Sequence, residues 1–113
     1  MFKNALAFSL TAGGIPFVYY GSEQGFQGGL PPDNREPLWT DMEPDTDIYT
    51  MIAAINKARK AHKIWEEEPT VQYVLNDFYA FSRNDMLVAM TNSHEPIRVN
   101  IRGTLPATWS DGI

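Results

Sequence analysis

Residues 15 to 20 read IPFVYY, an apolar and aromatic run with no polar residue in alternation, bounded by Gly13-Gly14 before it and Gly21 after it. A strand with one face in water alternates polar and apolar residues, so an unbroken run predicts a strand covered on both faces, as in parallel sheets. Parallel neighbours must be joined by a crossover of about a dozen residues or more. No other segment offers such a neighbour, because everything after Pro69 is patterned as hairpins. The run therefore predicts one strand of a parallel sheet whose other strands lie outside this chain.

The flanks extend that expectation. Residues 1 to 12, MFKNALAFSLTA, are apolar almost all round, with Phe2, Ala5, Leu6, Phe8, Ser9 and Ala12 at helical spacings. They predict a buried helix that stops at the glycine pair and has no capping residue before it. After the apolar run, residues 21 to 44 carry glycines at 21, 25, 28 and 29 and prolines at 31, 32, 37 and 44. That punctuation disfavours regular structure, and a loop of more than twenty residues is expected. Loops above about 12 to 15 residues are usually functional or disordered. Phe26, Leu38 and Trp39 provide apolar groups to pin this one down.

An amphipathic helix follows from about Asp47 to Trp65, with Ile48, Met51, Ile52, Ile55, Ala58, Arg59, His62 and Trp65 recurring at intervals of three and four. Asp45, Thr46 or Asp47 can cap its start, and Lys57, Arg59, Lys60 and Lys63 suit the negative end of its dipole. Glu66-Glu67-Glu68-Pro69 ends it. Beyond lie VQYVL, FYAFSR, MLVAMTN and IRVNI, separated by Asn76-Asp77, Asn84-Asp85 and residues 93 to 96, which is the chemistry of strands and tight turns. The domain boundary is expected at residues 66 and 67, and residues 105 to 113 supply no evident closing strand.

Composition narrows the function classes. The chain has 113 residues, 43% of them apolar, which suits a globular core and argues against disorder. Nine basic residues against fourteen acidic ones give a net charge of -5, without a Lys/Arg cluster dense enough to follow a phosphate backbone. Nucleic acid is not an expected partner. Neither is a membrane, since no stretch approaches the ~18 to 20 continuous apolar residues of a span. With no cysteine, disulfides, thiolate zinc sites and a cysteine nucleophile are excluded within these residues.

The segment GIPFVYYGSEQGFQGGLPPDNREPLW, residues 14 to 39, resembles the eighth strand and following loop of α-amylase-type (β/α)8 glycoside hydrolases, where the pattern reads roughly GIPxxYYGxEQxxxGGxxPxNREPLW. As a set, Gly14 to Gly21, Gly28-Gly29 and Asn34 to Trp39 look most similar to the fungal-type members, with YAFSRNDMLVAMTN a weaker element. The resemblance implies a fold of class α/β plus all-β. Residues 1–66 would be the last βα unit of a (β/α)8 TIM barrel, and residues 67–113 the start of an incomplete antiparallel β-sandwich domain. It also implies that the chain is a C-terminal piece of a longer enzyme, and that the rest of the barrel is its partner.

For the site, the resemblance places the three catalytic carboxylates on strands outside this chain, so no catalytic residue is expected here. The retaining chemistry it implies needs two carboxyls ~5 Å apart flanking the bond. Glu23 stands where a barrel strand ends at the active-site face, and it reads as a loop anchor more readily than as an acid. Arg35 is the expected substrate contact, across a minus-side subsite, because a guanidinium aims several donors at sugar hydroxyls in fixed geometry. The alternative is a salt bridge to Glu36 or Asp33. Fungal-type relatives tend to carry an Asp four positions before that Arg, where this chain has Pro31; Asp33 is the candidate replacement.

Tyr19, Tyr20, Phe26 and Trp39 could stack on the apolar faces of sugar rings or simply pack the loop, and Trp39 is the strongest of them. His62 and His94 do not read as metal ligands. No cofactor is expected in this chain, while the resemblance implies calcium held on other segments of the intact protein. The implied activity is hydrolysis of α-1,4-glucosidic bonds in starch or glycogen, outside the cell. Alternatives are a maltodextrin-acting α-glucosidase or glucanotransferase of the same family, or a sugar-binding remnant without catalysis.

Overall fold

The computed structural model describes residues 1–40 and 42–101. It holds two α-helices, α1 (Phe2–Thr11) and α2 (Asp47–Ala61), and a three-stranded antiparallel sheet of β1 (Thr70–Val74), β2 (Phe78–Arg83) and β3 (Met86–Thr91) in sheet order β1-β2-β3. Short 3-10 turns stand at Ser22–Gln24, Leu38–Thr40 and Ile64–Glu66. Among the described residues no helix is long and apolar enough to cross a membrane. The buried apolar residues are Leu6, Leu10, Ile64, Ala80, Phe81 and Val88, so the core lies where α1 meets the hairpin of β2 and β3. Phe8 closes its margin, edge-on to Phe81 with ring centroids 6.4 Å apart.

The hairpins follow the sequence pattern closely. β2 pairs with β3 from Phe78 opposite Thr91 to Arg83 opposite Met86, and Asn84-Asp85 make the turn. Asn84 accepts the left-handed conformation at φ 53°, which Asn tolerates better than most residues. β1 pairs with β2 through a bulge at Gln72, since Val71 faces Phe81 while Tyr73 faces Ala80. The Gln72 side chain turns inward and donates to Ser82 Oγ at 2.7 Å.

Four segments depart from the expectations. Residues 15 to 19 join no ladder and Tyr20 enters a turn, and Ile15 and Phe17 are 85% and 88% exposed. A strand meant to be covered on both faces finds no parallel neighbour among the described residues, so its pairing does not form there. The second departure is residues 97 to 101, read as a strand, which join no ladder among the described residues. There the chain turns after Thr91, where Ser93 N donates to Thr91 Oγ1 and Glu95 N to Ser93 Oγ. Residues 105 to 113 lie outside the described residues.

The third departure is the end of the second helix. Thr46 caps its start, its Oγ1 accepting from Tyr49 N at 3.0 Å. The helix ends at Ala61 because Lys63 takes a left-handed conformation at φ 45°. This breaks the phase that placed Trp65 on the apolar face. Ile64 is fully buried instead and Trp65 is 56% exposed. α1 also departs, being buried on one side only, through Leu6, Leu10 and Thr11, with Phe2 left exposed.

Arg83 holds these parts together. Its side chain is buried, and its Nε donates to Glu67 O at 2.8 Å while Nη1 donates to Ala12 O at 2.7 Å and more weakly to Thr11 O at 3.4 Å. The carbonyls at the end of a helix have no partner within it, and here a guanidinium from the hairpin supplies one with charge-assisted bonds. The next two residues act on α2: Asn84 Nδ2 donates to His62 O at 2.9 Å, and Asp85 Oδ1 lies 2.8 Å from His62 Nδ1. Arg59 of α2 faces the same corner, where burial first and the nearby Arg83 second push its guanidinium below the ordinary range.

Two mutations test this architecture. Arg83→Met keeps the apolar stem but orphans the Ala12 and Glu67 carbonyls, and should lower the unfolding free energy by about 2 to 4 kcal/mol. Denaturant midpoints at unchanged slope are the measurement, and Arg83→Lys should recover only part, since an ammonium cannot span both carbonyls as a fork does. Gly21 has φ 82°, and a Cβ there would overlap the Phe26 ring. Gly21→Ala should therefore cost about 1 to 2 kcal/mol for the backbone alone and more for the clash. Combined with Phe26→Ala, the clash part should vanish in a double-mutant cycle.

Candidate functional site: the Gly21 to Pro44 loop

The loop is built as two braced lobes. The first begins at Gly21, whose carbonyl accepts from Gln24 N and Phe26 N, both at 3.0 Å, so that Phe26 folds back over it. Gln24 then grips the far end of the loop, donating Nε2 to Glu43 O and accepting from Glu43 N through Oε1, each at 3.0 Å. Thr46, besides capping α2, donates its hydroxyl to Glu23 O. The start of the loop, its end and the second helix are thereby joined by one amide and one hydroxyl side chain. Thr46 was read from sequence only as a candidate helix cap, and Gln24 was not singled out, because a Gln in a loop carries no periodic signal.

The second lobe runs from Gly28 to Pro37. Gly28 N donates to Glu36 Oε1 at 3.2 Å, while Asp33 N bonds Leu30 O at 2.8 Å and Arg35 N bonds Pro32 O at 3.1 Å. These bonds close residues 28 to 36 into a compact turn. A shallow concavity on it is lined by Gly28, Pro32, Asp33, Arg35, Glu36 and Pro37. Next to it, Tyr19, Tyr20, Ser22, Phe26, Gln27 and Asn34 line another, and Gly28 and Glu36 belong to both. The Tyr19 and Tyr20 rings lie 4.8 Å apart.

The structure thus brings Asp33 and Arg35 to one depression and Tyr19, Tyr20 and Phe26 to its neighbour. Trp39 lines neither and stands 81% exposed. Arg35 is exposed, and neither of the carboxylates weighed as salt-bridge partners holds it. The ion pairs among the described residues are Lys3 with Asp47, His62 with Asp85 and Lys63 with Glu66. Glu36 turns its oxygen to the Gly28 amide instead. Glu23 does anchor the loop, but through its carbonyl rather than its carboxylate. His62 has a carboxylate beside it in space, Asp85, that the sequence spacing did not show.

Among the described residues no group of three or more His, Asp or Glu is placed to hold a metal ion.

No family model matches the chain. Over 74 residues it is 42% identical to α-amylase 1 of Lipomyces kononenkoae, covering 65% of this chain and 12% of that protein. It is 33% identical over 117 aligned residues to the cyclomaltodextrin glucanotransferase of Thermoanaerobacterium thermosulfurigenes, covering 96% of this chain and 16% of the relative. In structure it matches an α-amylase from Malbranchea cinnamomea with TM-score 0.74 and 33% identity, over 80% of this chain and 21% of the other. The chain therefore spans a minor part of the length of its relatives, and its small antiparallel sheet fits the C-terminal β domain of such proteins. Shared identity and shared backbone over most of its residues show that the chain belongs to the α-amylase family.

Proposed function

We propose that this chain is the rim-forming C-terminal portion of an α-amylase that hydrolyses α-1,4-glucosidic bonds in starch or glycogen, acting outside the cell. Residues 1–66 would complete the (β/α)8 barrel and residues 67–113 would begin the β-sandwich behind it. The nucleophile and acid/base would come from the remainder of the barrel, so the chain alone would not turn over starch. Its contribution is contact: Arg35, with Asp33 beside it, would bind a sugar on the minus side of the cleft, and Trp39 would offer an aromatic face at the edge. The observation that carries this reading is the exposed Arg35 guanidinium at a concavity, with neither Asp33 nor Glu36 paired to it in the described structure.

The apolar run supports the same placement. Ile15 and Phe17 are exposed on a segment that joins no ladder and presents apolar side chains to solvent. The neighbouring strands and helices of a barrel are suited to cover such a segment. A second reading, transglycosylation rather than hydrolysis, draws on the match to a cyclomaltodextrin glucanotransferase over 96% of this chain. Product analysis separates the two, since hydrolysis yields linear maltooligosaccharides and intramolecular transfer yields rings.

The contact role of Arg35 has a direct kinetic consequence. Losing a charge-assisted hydrogen bond to a sugar hydroxyl costs about 1.5 to 3 kcal/mol, so Arg35→Ala in the whole protein should lower kcat/KM on a long maltooligosaccharide by roughly 10- to 150-fold. A substrate too short to reach that subsite should lose much less. Equal losses on both, with a lowered melting temperature, would make Arg35 a structural residue instead.

A further inference from the structure

We infer that Glu36 is a positioning residue: its carboxylate latches the Gly28 amide and so fixes the turn that presents Arg35. This inference rests on the sugar-contact reading of Arg35 and adds to it the group that makes the contact possible. Three observations converge. Glu36 is half-buried and points its oxygen across the turn, 3.2 Å from Gly28 N, rather than at the adjacent guanidinium. Gly28 is left-handed at φ 71° with nothing within 4 Å of where a Cβ would stand, so backbone direction rather than space is what the position demands. Both residues line the aromatic depression and the Asp33/Arg35 depression, which makes their bond the wall the two share.

The physical argument concerns freedom. A turn rich in glycine and open to solvent samples many conformations, and an exposed arginine on it would lose that freedom on binding sugar. A bond between Gly28 and Glu36 settles most of that loss in advance, leaving only the Arg35 side chain to order. Preorganisation of this kind raises affinity without adding a contact. It also accounts for Glu36 not pairing with Arg35: its carboxylate is engaged by the backbone, and the guanidinium stays available.

The test uses the whole protein and three variants, Glu36→Ala, Glu36→Gln and Glu36→Ala with Arg35→Ala. The readouts are the ratio of kcat/KM on long to short maltooligosaccharides and the hydrogen-exchange protection of the Gly28 amide. Glu36→Ala should lower protection at Gly28 by about tenfold, as expected for loss of one hydrogen bond. It should also lower the long-to-short ratio toward that of Arg35→Ala. Glu36→Gln keeps an acceptor oxygen and should hold the ratio within about threefold of the parent. The double variant should be no worse than Arg35→Ala alone. An additive double variant, or a ratio untouched by Glu36→Ala despite lost protection, would overturn the latch. If Arg35→Ala itself left the ratio unmoved, the sugar-contact reading would fall, which is a different result from a ratio lowered by Arg35→Ala and indifferent to Glu36→Ala.

Discussion

One guanidinium decides how the two halves of this chain meet. Arg83 leaves the end of β2, passes through the interior and donates to the last carbonyls of α1 on one side and to Glu67 on the other. Burying a charge is costly unless its donors are satisfied, and here backbone carbonyls with no partner in their own element satisfy them. The cost of the charge and the cost of an uncapped helix end offset each other. With Asn84 and Asp85 held against His62 at the end of α2, the tip of one hairpin fixes the C-termini of both helices. The loop that carries the candidate site hangs between those helices, so its position depends on this corner.

From there the site follows by short steps. Thr46 opens α2 and ties it to Glu23, Gln24 ties the loop's start to its end at Glu43, and Glu36 ties Gly28 to the turn carrying Arg35. Each tie is a single side chain bonding to backbone, the economical way to order a segment too rich in glycine and proline to order itself. None of them uses Asp33 or Arg35. The loop's structural work and its proposed binding work fall on different side chains, which is how the exposed Asp33 and Arg35 side chains can stay available to a ligand.

Legibility in the sequence tracks how local the cause was. The second helix was readable because periodicity and a capping threonine act within a few residues, and the hairpins because alternation and Asn-Asp turns do the same. The early end of α2 was not: a left-handed lysine at position 63 leaves no sequence signature, and it alone moves Trp65 outward and Ile64 inward. Arg83 was hidden for the opposite reason, since its partners lie far away in sequence and are backbone atoms of unremarkable residues. The apolar run at residues 15 to 20 was read as a strand covered on both faces, and no such strand forms among the described residues, which hold no parallel neighbour for it. At the site, Asp33 and Arg35 fell together as sequence proximity suggests, while Trp39 sits apart because the 3-10 turn at Leu38–Thr40 carries it away from the Asp33/Arg35 depression.

The central claim is that this loop meets an α-glucan through Arg35 on a preformed turn. A crystal structure of the whole protein soaked with a slowly cleaved maltooligosaccharide long enough to fill the minus side tests it most directly. The account predicts a glucose ring over the Asp33/Arg35 depression, with a hydroxyl oxygen about 2.7 to 3.2 Å from the Arg35 guanidinium and the Gly28 to Glu36 bond intact. A sugar bound elsewhere in the cleft, with Arg35 paired to a carboxylate from another part of the barrel, would contradict it.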